Sequence, residues 1–307
     1  MEKRLSRTEM LFSLAFIFVL ILAIAAFFYG VKVGSEKTEA KYLPMKLLHA
    51  EGGPKVTAYQ QQDLVSYYHT VFLPLREFQA EWFTAMDKLQ TGRSTDAAAS
   101  FKELSKLATK QYETISKSSV SAVSPLLEQS QTNAMKSLKL FEQAATRIAS
   151  AAKDKAPVAV VNDVPKDAYY TQAVTYALQS QQQYYASMLK WGATTDSKIP
   201  GEYETPSVLD ISEWNKLPFL VKNKVMADQL HSRGTMESFY PHDLSSRVDE
   251  FIASGQTAKM RIKTVSAVVD LLLSTKAVRD GDFSEGKLSR YDKELLPQLP
   301  FFYSEAK

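Results

Sequence analysis

The 307-residue chain contains no cysteine. That absence excludes disulfide scaffolds, thiolate zinc sites, iron–sulfur clusters, cysteine nucleophiles and anchoring through a lipidated N-terminal cysteine. Glycine and proline are sparse, at 11 and 12 residues, which removes collagen-like and proline-rich low-complexity readings. A dominant charge is missing too. Against 37 basic residues stand 34 acidic ones, for a net +3, far from the basic footprint of a nucleic-acid binder. No Gly-x-Ser-x-Gly, His-Glu-x-x-His or phosphate loop occurs, so the sequence indicates no enzymatic activity and no cofactor.

A mean hydropathy of -0.22 averages two unlike pieces. From Met10 to Val31 run 22 residues without a charge. As a helix they would extend about 33 Å, enough to cross a hydrocarbon core of about 30 Å. The run exceeds a signal-peptide core and lacks a small-x-small site at its far end, so it reads as an uncleaved signal anchor rather than a cleaved signal or a buried core helix. Lys3, Arg4 and Arg7 precede it and Lys32, Lys37 and Lys41 follow it, which makes the positive-inside count a tie. A nine-residue tail ahead of a large body favours a cytoplasmic N-terminus and an extracytoplasmic body. Residues 1–41 hold six basic and four acidic residues, leaving 31 and 30 for the rest. The body is nearly neutral, with no basic stripe for a phosphate backbone.

That body is patterned as helix nearly throughout. Leu64, Tyr68, Val71, Leu75, Phe78, Trp82, Ala85 and Leu89 recur at spacings of 4 and 3, one stripe of a helix. Pro74 falls inside the stripe and predicts a kink or break near Leu73. After Gly92, a helix starting at Ser94 or Thr95 would carry Phe101, Leu104, Ala108 and Ile115, with Gln111 in the vacant slot. Ser124-Pro125 opens a third helix bearing Leu127, Ala134, Leu138, Phe141, Ala145, Ile148 and Ala152. An ordinary bundle core explains these heptad spacings better than an extended coiled coil. The expected fold is all-α: a transmembrane helix, then an antiparallel helical bundle. Its expected divisions are a cytoplasmic tail (1–9), anchor (10–33), juxtamembrane linker (34–55), first bundle half (56–155), connector (156–167) and second helical half (168–307).

The second half opens with a helix from about Pro165 to Trp191, rich in Tyr and Gln. Tyr169, Tyr170, Tyr184 and Tyr185 form a candidate partner surface, since aromatic rings favour interfaces. These tyrosines do not share one helix face, so some belong to the core. Asp210-Ile-Ser-Glu213 has capping-box spacing and would open a helix through Trp214, Leu217, Val221, Val225 and Leu230 to Gly234. Asp243 is a candidate cap for the helix carrying Val248, Phe251 and Ile252. Ala258, Ile262, Val265, Val269 and Leu272 suggest one more stripe, punctuated by Gly281 and Gly286. The apolar Leu295–Tyr303 segment is expected to dock back on the body, the alternative being an exposed ligand for a partner.

Candidate chemistry is thin. The histidines are His49, His69, His231 and His242. Asp228-x-x-His231 is one half of a di-metal bundle pattern whose other half is absent. His242-Asp243 would be a catalytic pair only if the fold aimed both groups at one point. Ala26, Gly30 and Gly34 recur every four residues and offer a close-approach face for a second membrane helix. The expected partners are the lipid bilayer for residues 10–33 and a protein partner or a second copy for the rest, with no nucleic acid. The function expected from these features is a membrane-anchored interaction, scaffold or assembly module. The alternative is a ligand-sensing ectodomain that signals through a separate membrane partner.

Overall fold

In the computed structural model, residues 58–153 and 155–303 are described. Among them the regular structure is helical, without a strand. The all-α expectation holds there. No helix among them is long and apolar enough to cross a membrane. The expected anchor at residues 10–33, with Ala26, Gly30 and Gly34, lies outside the described residues.

The first predicted stripe forms as drawn: all its members except the half-buried Ala85 are buried. Pro74 does not break the helix. It is carried by α1 (Gln61–Tyr67), a π-helical turn (Tyr68–Phe72) and α2 (Leu73–Gln90) in direct succession. Proline has no N–H and its ring crowds the carbonyl four residues back; the wider turn, in which the Leu73 N–H bonds to the Tyr68 carbonyl, accommodates it. Helix α3 (Ala97–Ser116) starts later than predicted, because Asp96 and not Ser94 or Thr95 caps it, accepting from the Ala99 N–H at 2.8 Å. Gln111, in the vacant slot, is buried and bonds Glu77 at 3.1 Å. Helix α4 (Pro125–Ala151) begins after Ser124 as expected.

The chain then leaves the predicted connector pattern. Residues Pro157–Asp163 form a short helix, α5, followed by a 3-10 turn at Val164–Lys166. The valines read as connector bury Val160 and Val164 against the bundle. Helix α6 (Ala168–Thr195) is capped by Asp167, whose carboxylate accepts from the N–H groups of Tyr169 and Tyr170.

Side-chain pairs fix the topology. Trp82 meets Phe101 with ring centroids 5.7 Å apart, and Gln131 of α4 reaches the Ile115 carbonyl at 3.1 Å. Ser130 donates to the Ser180 carbonyl (2.7 Å) and Ser137 to the Ala173 carbonyl (2.8 Å). Advancing along α4 thus retreats along α6. Tyr67 meets Ser130 and Phe78 meets Phe141, so α1–α2 runs parallel to α4. The four long segments make an up-down-up-down bundle. The α4–α6 seam is lined by buried Ser130, Ala134 and Ser137 opposite Ala173, Ala177 and Ser180. Small side chains let the two backbones approach, and each buried hydroxyl is bonded, Ser130 and Ser137 to carbonyls and Ser180 to Ser130 Oγ at 3.0 Å, as burial requires.

Helix α6 also carries the second set of helices: α7 (Ile211–Trp214), α8 (Phe219–Arg233), α9 (Pro241–Ala253), α10 (Gln256–Lys259), α11 (Val265–Ser274), α12 (Asp282–Arg290) and α13 (Pro300–Tyr303). Helix α8 packs on α6, α9 on α8, and α11 and α12 on α9. Ala58–Lys307 forms one compact unit. Several local expectations fail for identifiable reasons. The Asp210 helix ends at Trp214, with no side-chain capping bond at Asp210. Pro218 disfavours helical backbone at Leu217 and instead starts α8. The Ala258–Leu272 stripe is split by Arg261, whose φ of 56° closes α10, leaving Ala258 exposed. Gly281 opens a helix instead of closing one. Gly286 lies inside that helix, where an added Cβ would come within 3.2 Å of Ser246 Oγ.

The α6–α8 contact depends on Gly192. A Cβ there would meet Leu220 Cδ1 at 2.7 Å and Ile199 Cγ2 at 3.1 Å, and both neighbours are buried. Gly192→Val should therefore lower unfolding stability by about 1–3 kcal/mol despite better helix propensity. Gly201→Ala, whose Cβ would sit 3.5 Å from Ala193 Cβ, should stay within about 0.5 kcal/mol of wild type. Urea denaturation of both variants is the check.

Candidate functional site

The π-turn sets Tyr68 and Phe72 at the boundary between the bundle and the second set of helices. Phe72 packs on Tyr184 (4.7 Å between centroids) and Tyr240 (6.1 Å). One turn after Phe72, Arg76 reaches across. Its guanidinium lies 4.3 Å from the Tyr240 ring centroid and donates to the carbonyls of Glu237 (3.1 Å), Ser238 (2.6 Å) and Phe239 (3.3 Å). One cation thus ties three successive carbonyls ahead of α9 to α2 and adds a cation–π contact.

Beneath Tyr240, a stack of rings closes the junction. His242 lies 5.0 Å from Tyr240 at 11° and 4.9 Å from Phe301 at 14°. Phe301 also stacks on Tyr240 (5.3 Å) and meets Tyr68 edge-on (5.4 Å). Phe302 fits between His242 (4.9 Å) and Phe283 (5.5 Å). His242 Nδ1 shares a 2.8 Å hydrogen bond with the Tyr185 hydroxyl. Both groups are buried, and burial pushes the imidazole well below its ordinary value, helped by the Arg76 charge. Burial likewise holds the Tyr185 hydroxyl protonated. The pair is neutral.

His242 and Asp243 are sequence neighbours with separate jobs. The Asp243 carboxylate accepts from the Tyr240 N–H (2.9 Å) and the Phe283 N–H (3.0 Å), so it binds the first turns of α9 and α12 together. It is the third residue of α9 and not its N-cap. Burial raises its carboxyl to about 7, against the opposing pull of those two N–H groups. With both oxygens engaged by backbone, Asp243 does not act as the partner of His242, and the two residues form a cap and a ring stack, not a catalytic pair.

A second polar knot lies nearby. Asp249 accepts from Lys222 (2.9 and 3.0 Å), Trp214 Nε1 (2.6 Å) and the Tyr291 hydroxyl (2.7 Å). It joins α7, α8, α9 and the residue after α12. A largely enclosed carboxylate with this many donors is satisfied; its role is to fix packing.

No known protein family, curated protein or solved structure matches this chain. The residues alone decide the reading. Of the four candidate surface tyrosines, Tyr184 and Tyr185 are fully buried; Tyr170 is half-buried and stacks on Trp82 at 5.4 Å. Only Tyr169 is exposed. The expected tyrosine surface is therefore mostly core, because α6 is covered by the bundle on one side and α8 on another. Asp228 bonds Lys224, Thr205 and Gln182, which leaves it engaged away from any half-site with His231. No group of metal-ligating side chains occurs among the described residues. His69 is exposed beside Tyr68, and His49 lies outside the described residues. The sequence reading missed Arg76 and the Asp249 knot. The proline inside the first stripe was the available signal for the π-turn.

The two buried titrating groups oppose one another. His242 is neutral when folded but binds a proton when unfolded below about pH 6.5, so its contribution is lost as pH falls. Asp243 holds a proton up to about pH 7 when folded and loses it above about pH 4 when unfolded, so its contribution is lost as pH rises. Between about pH 4 and pH 6.5 folded and unfolded states carry equal protons at this pair, and its net slope is near zero. Asp243→Asn should expose the histidine slope, with stability falling toward acid by up to about 1.4 kcal/mol per pH unit. His242→Gln should expose the opposite slope. Urea midpoints at two pH values within this window check both; parallel profiles for the two variants would contradict the assignment.

Proposed function

We propose that the chain is a single-pass membrane protein whose helical body, on the extracytoplasmic side, serves as a protein-interaction, scaffold or assembly module. The observation that carries this reading is the uncharged Met10–Val31 run ahead of a body whose described residues are helical, without a strand. A run of that length and composition suits a bilayer span, and the near-neutral body suits protein contacts better than nucleic acid. The interior of the bundle also favours a surface role. Trp82, Phe78, Phe101 and Phe141 fill it with rings in mutual contact, which leaves no chamber among them for a small molecule.

The sensing alternative draws on a different place, a polar cleft of about 280 Å³ lined by Gln62, Asp63, Ser66, Tyr67, Ser119 and Ser121. Its hydroxyl-rich lining suits a small polar ligand.

The anchor is tested by alkaline carbonate extraction of native membranes. Wild type is expected to stay in the membrane pellet. A chain with Leu20→Arg and Ile21→Arg should be released, since each buried charge costs about 2.5–3.5 kcal/mol of insertion. Release of the wild type would contradict the anchor. Proximity crosslinking in the same membranes then separates the readings: a stable protein neighbour supports the module, and its absence with a ligand-dependent thermal shift supports the sensor.

A further inference from the structure

The segment after α12 is attached in an unusual way. Glu294 accepts from the Phe219 N–H at 3.1 Å and pins the segment's start to the first turn of α8. Beyond it, every hydrogen bond of Leu295–Tyr303 among the described residues closes within the segment: Leu299 N–H to the Pro297 carbonyl, Phe302 N–H to the Leu299 carbonyl, and the Tyr303 hydroxyl to the Leu296 carbonyl. The body is held by side chains alone. Leu296, Leu299, Phe301 and Phe302 are buried, and Lys287 caps the Tyr303 ring from 3.8 Å.

Its chemistry is that of a docked ligand. Two prolines flank the turn that presents the Phe-Phe pair: buried Pro297 starts a tight turn closed by the Leu299 N–H, and exposed Pro300 opens α13; their missing N–H donors and restricted backbone lower the cost of ordering the segment. The receiving surface is aromatic: Tyr68, Tyr240, His242 and Phe283 each contact Phe301 or Phe302 at 4.9–5.5 Å, and Phe72 contacts Phe301 at 6.1 Å. Arg76 backs Tyr240 on one side, and the Asp243 cap holds Tyr240 and Phe283 in place. The cup is therefore built by elements that do not need the segment to be in register with them.

We infer that the aromatic cup of Tyr68, Phe72, Tyr240, His242 and Phe283 is a recognition groove for a proline-flanked Phe-Phe segment, and that Pro297–Phe302 fills it in cis. A partner carrying the same chemistry binds by displacing this segment, so the occupied groove is closed until a competitor arrives. The cis segment competes at high effective concentration because it is tethered a few residues away. This deepens the interaction-module reading by naming its surface. It is independent of membrane attachment: extraction of the wild type by carbonate would end the anchor reading and leave this groove standing.

The test uses the whole chain, in mild detergent, with a specific protease site inserted between Asp292 and Lys293, both exposed. After cleavage, a fluorescent peptide of residues 293–307 is added and its anisotropy followed. The cut chain should keep its helical circular dichroism and take up the peptide saturably. The uncut chain should bind about ten-fold more weakly or less, and a peptide with Phe301→Ala and Phe302→Ala should not bind. Four results overturn the inference: a cut chain that unfolds, a folded cut chain that does not take up the peptide, equal binding by cut and uncut chains, or equal binding of the alanine peptide.

Discussion

A proline in the interior of a helix removes one backbone donor and crowds the preceding turn, and the fold around it must absorb both effects. Here Pro74 sits in the middle of a stripe that the bundle needs intact on either side, with Leu64 and Tyr67 below and Phe78 and Trp82 above, all buried. A π-helical turn meets both demands. It keeps the helix continuous and rotates Tyr68 and Phe72 into contact with Tyr184, Tyr240 and Phe301. Helix α1–α2 thereby becomes a shared wall: bundle core along its length, and one side of an aromatic junction at the turn.

The junction is stabilised by complementary devices. Ring stacking provides buried apolar area with defined geometry. Arg76 satisfies carbonyls that would otherwise be stranded near the protein interior, and Asp243 satisfies the N–H groups of two helix starts. Burial holds His242 neutral and raises the Asp243 carboxyl to about 7, since the charged form is the costlier one to keep inside. The Lys222–Asp249 knot does the opposite and keeps an ion pair, and the Trp214 and Tyr291 donors on the same carboxylate compensate its desolvation.

Much of the bundle was legible from spacing. The 4-3 stripes of α1–α2, α3 and α4 are buried where they were drawn apart from half-buried Ala85 and Ile148, and even Gln111 occupies its core slot by finding Glu77. The helix carrying the candidate surface tyrosines was legible as a helix but not as a surface. Periodicity reports one buried face, whereas α6 is covered by two sets of neighbours, so Tyr184 and Tyr185 entered the core with partners at Leu64 and His242. Breaks were hardest to read. Arg261 and Lys276 take positive φ, a conformation normally signalled by glycine, and nothing in their side chains announces it. Arg76 and Phe301 were invisible as a pair because they reach Tyr240 from opposite directions along the chain, Arg76 from far before it and Phe301 from well after it, and no local pattern links them.

The central claim is that a rigid aromatic junction holds a segment that can leave it without the fold coming apart. Native-state hydrogen exchange measures this directly. The account predicts that the Phe302 amide, bonded to the Leu299 carbonyl, opens with a free energy well below that of α6 amides such as Tyr184 and Tyr185, and with little dependence on denaturant. Exchange of Phe302 only through global unfolding, with the same free energy and denaturant slope as α6, would contradict it.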